Sequence, residues 1–216
     1  MLRNKKRLFF ICSTIILIII ILMCSQYGLK QKEKAISKVT SISESEDTLS
    51  DTEKIVVGAR RYINTKPKYV DDYYKGGYPP NSEGVCTDVI WKAYLNAGYN
   101  LKDMIDEDIQ EHLDLYKSII VPDPNIDFRR VSNLKIFFEN NAESYTLNPY
   151  ETKEWKAGDI VIFGKDEHIA IISDKKNSSG IPYIIHNGGE SMGEEDGLIR
   201  LYNKMNITGH YRFILK

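Results

Sequence analysis

Asp159-Ile160-Val161-Ile162-Phe163 and, after a four-residue break, His168-Ile169-Ala170-Ile171-Ile172 are the residues whose reading decides the fold. Both runs are short and rich in β-branched residues, and Gly164-Lys165-Asp166-Glu167 separates them, which predicts strands. Tyr183-Ile184-Ile185-His186 and the run from Ile207 to Leu215 repeat the texture. Upstream the periodicity is helical. Ser50 and Glu53 form a capping-box pattern before Ile55, Val56, Ala59, Tyr62 and Ile63. Cys86, Val89, Ile90, Ala93, Tyr94 and Ala97 share one face of a second helix that Gly98 ends. Leu101 to Tyr116 predicts one or two further amphipathic pieces, and Ser132 is expected to cap a short helix through Asn140. Residues 66–82 and 122–127, with their prolines, glycines and aspartates, read as loops. Helices first and a mostly antiparallel sheet afterwards make the chain α+β.

The first fifty residues differ from the rest. Arg3, Lys5, Lys6 and Arg7 precede an uncharged apolar run of 17 residues, 8–24. That length is at the lower end of the roughly 17–25 residues that span a bilayer. A cleaved signal peptide would show a shorter run and small residues at its end, whereas the first alanine here is Ala35. We therefore expect residues 1–29 to be a basic cytoplasmic end and an uncleaved transmembrane helix, with the rest of the chain outside the cell. Residues 30–50 are rich in Lys, Ser, Thr and Glu and read as a flexible stalk. Residues 51–216 suffice for one domain. A net charge of −1 offers no electrostatic footprint for nucleic acid.

Cys12 and Cys24 fall in the apolar run or at its edge, so Cys86 has no disulfide partner within its own domain. An unpaired cysteine in an exported domain is a candidate nucleophile. A thiol attacks a carbonyl as thiolate, and a helix N-terminus favours that charge. Its base would be a histidine oriented by a third polar group. His168 opens one strand and His186 closes the next, so a hairpin between them makes the two rings neighbours. His112 lies in an acidic helical stretch and reads as solvated; His210 reads as structural. The competing account makes Cys86 a small buried hydrophobe and the two histidines satisfied core residues. No closely spaced metal-ligand pair such as H-E-x-x-H is present, and no cofactor is expected.

Tyr73-Tyr74-Lys75-Gly76-Gly77, with Cys86 nine positions after Gly77, resembles the Tyr-x-x-Gly-Gly … Asp-Cys-Ser-Gly signature of the NlpC/p60 family, papain-like cell-wall peptidases. Trp155-Lys-Ala-Gly-Asp-Ile-Val-Ile-Phe163 and His168-Ile-Ala-Ile-Ile172 resemble two of that family's strands. More closely, Gly84 to Trp91, Pro122 to Val131, Ile185-His186-Asn187 and Ile207 to Arg212 are similar to an uncharacterised bacterial branch, a domain of unknown function with YijF-like members. The resemblance implies a papain-like fold, with Cys86 as nucleophile, His168 as general base, His186 as orienting residue and Tyr73 near the oxyanion. It implies a membrane-anchored cysteine amidohydrolase acting on peptidoglycan stems or another peptide. The alternatives are a non-catalytic wall-binding module and a thiol acyltransferase or protease acting on protein. Thr87 and Asp88 depart from the family's neighbours of the cysteine. Asp88, Arg129, Arg130 and Asn187 are expected to meet the substrate, an arginine by gripping a carboxylate in bidentate fashion. For the cluster of Asp123, Asp127, Arg129 and Arg130, an internally salt-bridged loop is the competing reading.

Overall fold

The computed structural model describes residues 23–32, 34 and 48–213. The expected membrane span lies almost wholly outside these residues, as does most of the stalk. Among the described residues no helix is long and apolar enough to cross a membrane. The described residues fall into two units, divided between Thr48 and Leu49. In the first, residues 23–32 are helical.

The second unit opens with α1 (Asp51–Asn64), whose capping box forms as the sequence predicts: the Ser50 side chain accepts from the Glu53 amide and Glu53 from the Ser50 amide. A two-residue strand β1 (Lys68–Tyr69) pairs in parallel with β2 (Glu83–Gly84) across the loop between them. Next come α2 (Cys86–Asn96), α3 (Leu101–Glu111), a single 3-10 turn (Asp127–Arg129) and α4 (Val131–Asn141). Ser132 does not cap α4. Arg130 occupies the N-cap position and Ser132 sits inside the first turn.

The strands β3 (Glu143–Ser144), β4 (Ile160–Phe163), β5 (His168–Lys176), β6 (Pro182–Asn187), β7 (Met192–Glu195) and β8 (Ile207–Arg212) form one sheet. Their order is β3-β8-β4-β5-β6-β7, and every neighbouring pair is antiparallel. Between β7 and β8 runs α5 (Leu198–Met205).

Strand alternation divides the core in two. Ile160, Ile162, Ile169, Ile171 and Ile185 face the layer of α1–α4. Val161, Phe163, Ala170, Ile172 and Ile184 face Trp155 and α5. β4 is buried along its whole length, which is why it reads as a continuous apolar run. Each fully buried isoleucine contributes about 1.5–3 kcal/mol, so these two strands anchor the domain.

Two buried polar groups complete the frame. Asp159, fully buried, accepts from His210 Nε2 (2.9 Å) and from Arg212 Nε (2.7 Å). The His210 ring stacks on Trp155 at 3.7 Å. His210 therefore ties β8 to the start of β4 and takes no part in the site below.

Candidate active site

Cys86 is the first residue of α2, after an extended Val85 at the N-cap. Three contacts fix this entry. Gly84 has φ +152, and a Cβ there would lie 2.1 Å from the Tyr62 hydroxyl, so only glycine fits. Asn187, at the end of β6, donates to the Gly84 carbonyl (3.0 Å). The buried Thr87 hydroxyl donates to the Arg129 carbonyl (3.1 Å).

The backbone amide of Ile169, the residue after His168, acts on the sulfur and favours its charged form. Cys86 is 4% exposed. Burial pushes its thiol up to about 11, against the opposing pull of amides of Ile169, Thr87 and Cys86 itself. The helix terminus was expected to favour the thiolate. Desolvation outweighs it here, and the resting sulfur carries its proton.

His168 and His186 come together as the hairpin predicts. His168 Nε2 lies 2.7 Å from His186 Nδ1. The paired residues of the β5–β6 ladder run only as far as Ile171 and Ile185, so beyond that point the two rings link the strands. Burial, with His186 and Arg200 nearby, lowers His168 to about 3, and burial lowers His186 as well. Both rings are neutral at ordinary pH. His186 Nε2 contacts Glu195 Oε1 at 2.9 Å, and Glu195 also accepts from Ser191 Oγ (2.7 Å) and pairs with Arg200. The chain of contacts is thus His168–His186–Glu195.

Sequence reasoning did not single out Glu195, because residues 188–197 are rich in glycine and acidic residues and show no strand pattern. The signal available was its place nine residues after His186, in reach across a short hairpin.

The expected substrate residues divide. Asp88 and Arg129 face each other instead of a ligand. Asp88 is fully buried and accepts four hydrogen bonds, from Val85 N (2.7 Å), Trp91 Nε1 (2.7 Å), Arg129 Nε (2.9 Å) and Arg129 Nη2 (3.0 Å). This pair locks the 3-10 turn to the first turn of α2, so Arg129 is salt-bridged, but to the helix and not within its own loop. Asn187 is also fully buried and positions the cysteine entry as described. Arg130 is exposed.

A groove of about 210 Å³ opens at the cysteine, and its lining includes Tyr69, Asp71, Cys86, Arg130, Asp166 and Glu167. Tyr73 is outside that lining. Its hydroxyl donates to Asp123 (3.1 Å) and accepts from Asn125 (3.0 Å), which makes it a brace for the loop. Tyr69 is the tyrosine that borders Cys86, with its ring against Gly189. The resemblance put Tyr73 near the reacting group; in the structure β1 and β2 pair in parallel and bring Tyr69, not Tyr73, to the start of α2. Among the described residues no group of three or more His, Cys, Asp or Glu is arranged to hold a metal ion.

The family model described as a domain of unknown function (DUF1287) matches residues 56–213. The uncharacterized protein YijF of Escherichia coli (strain K12) is 34% identical over 174 residues, covering 75% of this chain and 82% of YijF. The matched span takes in Cys86, both histidines and Glu195, and on it the chain belongs to the DUF1287 family.

Proposed function

We propose that the domain is a cysteine amidohydrolase of the papain-like NlpC/p60 kind, held outside the cell by an N-terminal membrane helix. One observation carries this reading: the buried His168–His186–Glu195 chain begins one residue from Ile169, whose amide acts on the Cys86 sulfur. A thiol at a helix start, a buried imidazole on a strand packed against that helix and a group orienting that imidazole are what nucleophilic acyl transfer requires.

Burial disfavours charge on both sulfur and imidazole, so the resting pair is uncharged. The proton then moves as the sulfur attacks. As the C–S bond forms, the thiol proton passes to His168, and the amide C–N bond breaks as His168 returns that proton to the leaving amine. Water, deprotonated by His168, then attacks the thioester and frees the acid and the thiol. Backbone N–H groups at the first turn of α2 face the developing oxyanion, and Tyr69 borders it. The groove carries Asp71, Asp166 and Glu167 together with Arg130. That mix suits a short peptide bearing both amine and carboxylate, and the peptide stem of peptidoglycan is our proposed substrate.

Purified protein incubated with peptidoglycan is expected to release new amino groups and muropeptides cut at one amide. Cys86→Ala is expected to release none. Equal digestion by the variant refutes the thiol mechanism, and no change to any muropeptide by the wild type refutes the substrate.

The burial of Cys86 favours one other reading, a wall-binding module without chemistry. In that case Cys86→Ala retains full affinity for peptidoglycan and no product forms with either protein.

A further inference from the structure

From the hydrogen-bond chain we infer that Glu195 is a positioning residue that sets the tautomer of both histidines and leaves Nδ1 of His168 as the basic nitrogen. Two neutral imidazoles carry one ring proton each. Glu195 is held ionised. Burial opposes this, but the Ser191 and His186 hydrogen bonds and the charge of Arg200 overcome it. A carboxylate only accepts, so the contact at 2.9 Å must be an Nε2–H of His186 donating to Glu195. His186 Nδ1 is then a lone pair. The contact at 2.7 Å must be an Nε2–H of His168 donating to it. No proton is left for His168 Nδ1.

Glu195 does not touch the reacting atoms. It acts through His186, much as an outer carboxylate orients a ligating imidazole, a role that commonly accounts for 10–100-fold of activity. Arg200 and Ser191 in turn hold Glu195 in place. Gly188 closes the other side of the His186 ring, where a Cβ would stand 3.4 Å from Nδ1.

The tautomer assignment stands on the two ring contacts together with the neutral rings and ionised carboxylate described above, whereas its use in catalysis rests on the proposed function. Long-range 1H–15N correlation spectra of the 15N-labelled wild-type protein at neutral pH read each ring nitrogen directly. His168 and His186 are assigned by the signals lost in His168→Gln and His186→Gln. Both rings are expected to be protonated at Nε2 and bare at Nδ1. In Glu195→Ala the His186 tautomers should mix, and His168 should lose its single form. A proton on His168 Nδ1 in the wild type overturns the inference, and it needs no folded variant to do so. Tautomers unchanged in a folded Glu195→Ala also overturn it. Peptidoglycan digestion that does not depend on Cys86 would defeat the thiol mechanism while leaving the tautomers as found.

Discussion

Replacing Asp88 with alanine separates a structural role from a substrate-binding one. The change strands the Arg129 guanidinium, which is 1% exposed, and leaves the Trp91 indole N–H and the Val85 amide without their acceptor. Breaking a buried ion pair by removing one partner costs about 3–5 kcal/mol. The orphaned donors share that environment, so their cost is not simply added. For a domain of this size each kcal/mol lowers Tm by about 2–4 °C, so the expected fall is about 6–20 °C. Differential scanning calorimetry and urea denaturation of the purified protein measure it. The double variant Asp88→Ala/Arg129→Met is expected to recover part of the loss, because it removes both buried charges. A loss below about 1 kcal/mol, the worth of an exposed pair, would refute the reasoning and return Asp88 to the list of groups free to meet substrate.

Other perturbations have equally definite outcomes. Gly84→Ala forces a Cβ against the Tyr62 hydroxyl at φ +152; strain of this kind costs about 1–3 kcal/mol, and urea titration should show it together with a displaced cysteine entry. Burial alone would raise Glu194, but hydrogen bonds from Arg60, Lys175 and Ser173 outweigh it and hold the carboxyl at about 2. Because the folded value is depressed, the stability it contributes is present above the unfolded value near 4.5 and is lost as pH falls toward 2. Glu194→Gln should flatten the stability-against-pH curve in that window, and an unchanged curve would contradict the assignment. The Cys86 thiol should react with iodoacetamide at a rate that keeps rising beyond pH 9, since its value lies near 11; a plateau below pH 8 would show an already ionised sulfur. Tyr69→Ala should lower turnover, whereas Tyr73→Phe should leave it within about twofold, as expected of a loop hydroxyl far from chemistry.

The helices and the central strands were legible because burial imposes their period. Cys86, Val89, Ile90, Ala93 and Tyr94 repeat on one face of α2, and Ile160 to Phe163 are apolar on both faces of β4. β7 was not legible. Met192-Gly193-Glu194-Glu195 has no apolar alternation, because this edge strand is held by backbone pairing with β6 and by polar side-chain bonds of Glu194 and Glu195. The pairing of β8 between β3 and β4 joins segments distant in sequence, so no local pattern announces it. Cys86, His168 and His186 could be picked out because reactive residue types are rare and their places at element ends are readable. The roles of Asp88, Arg129 and Asn187 could not be. Whether a polar side chain turns to solvent or to another buried polar group depends on which turn packs against which helix. Asp88 and Arg129 are 41 residues apart and meet only in the folded chain.

The most direct test of the central claim is to trap the acyl-enzyme. Wild-type protein turning over muropeptides is quenched in acid, digested and mapped by mass spectrometry. The account predicts a hydroxylamine-labile thioester on the peptide containing Cys86, with the mass of the acyl half of the cleaved amide and accumulating before product. Product formation with no adduct at Cys86, and at an undiminished rate in Cys86→Ala, would contradict it.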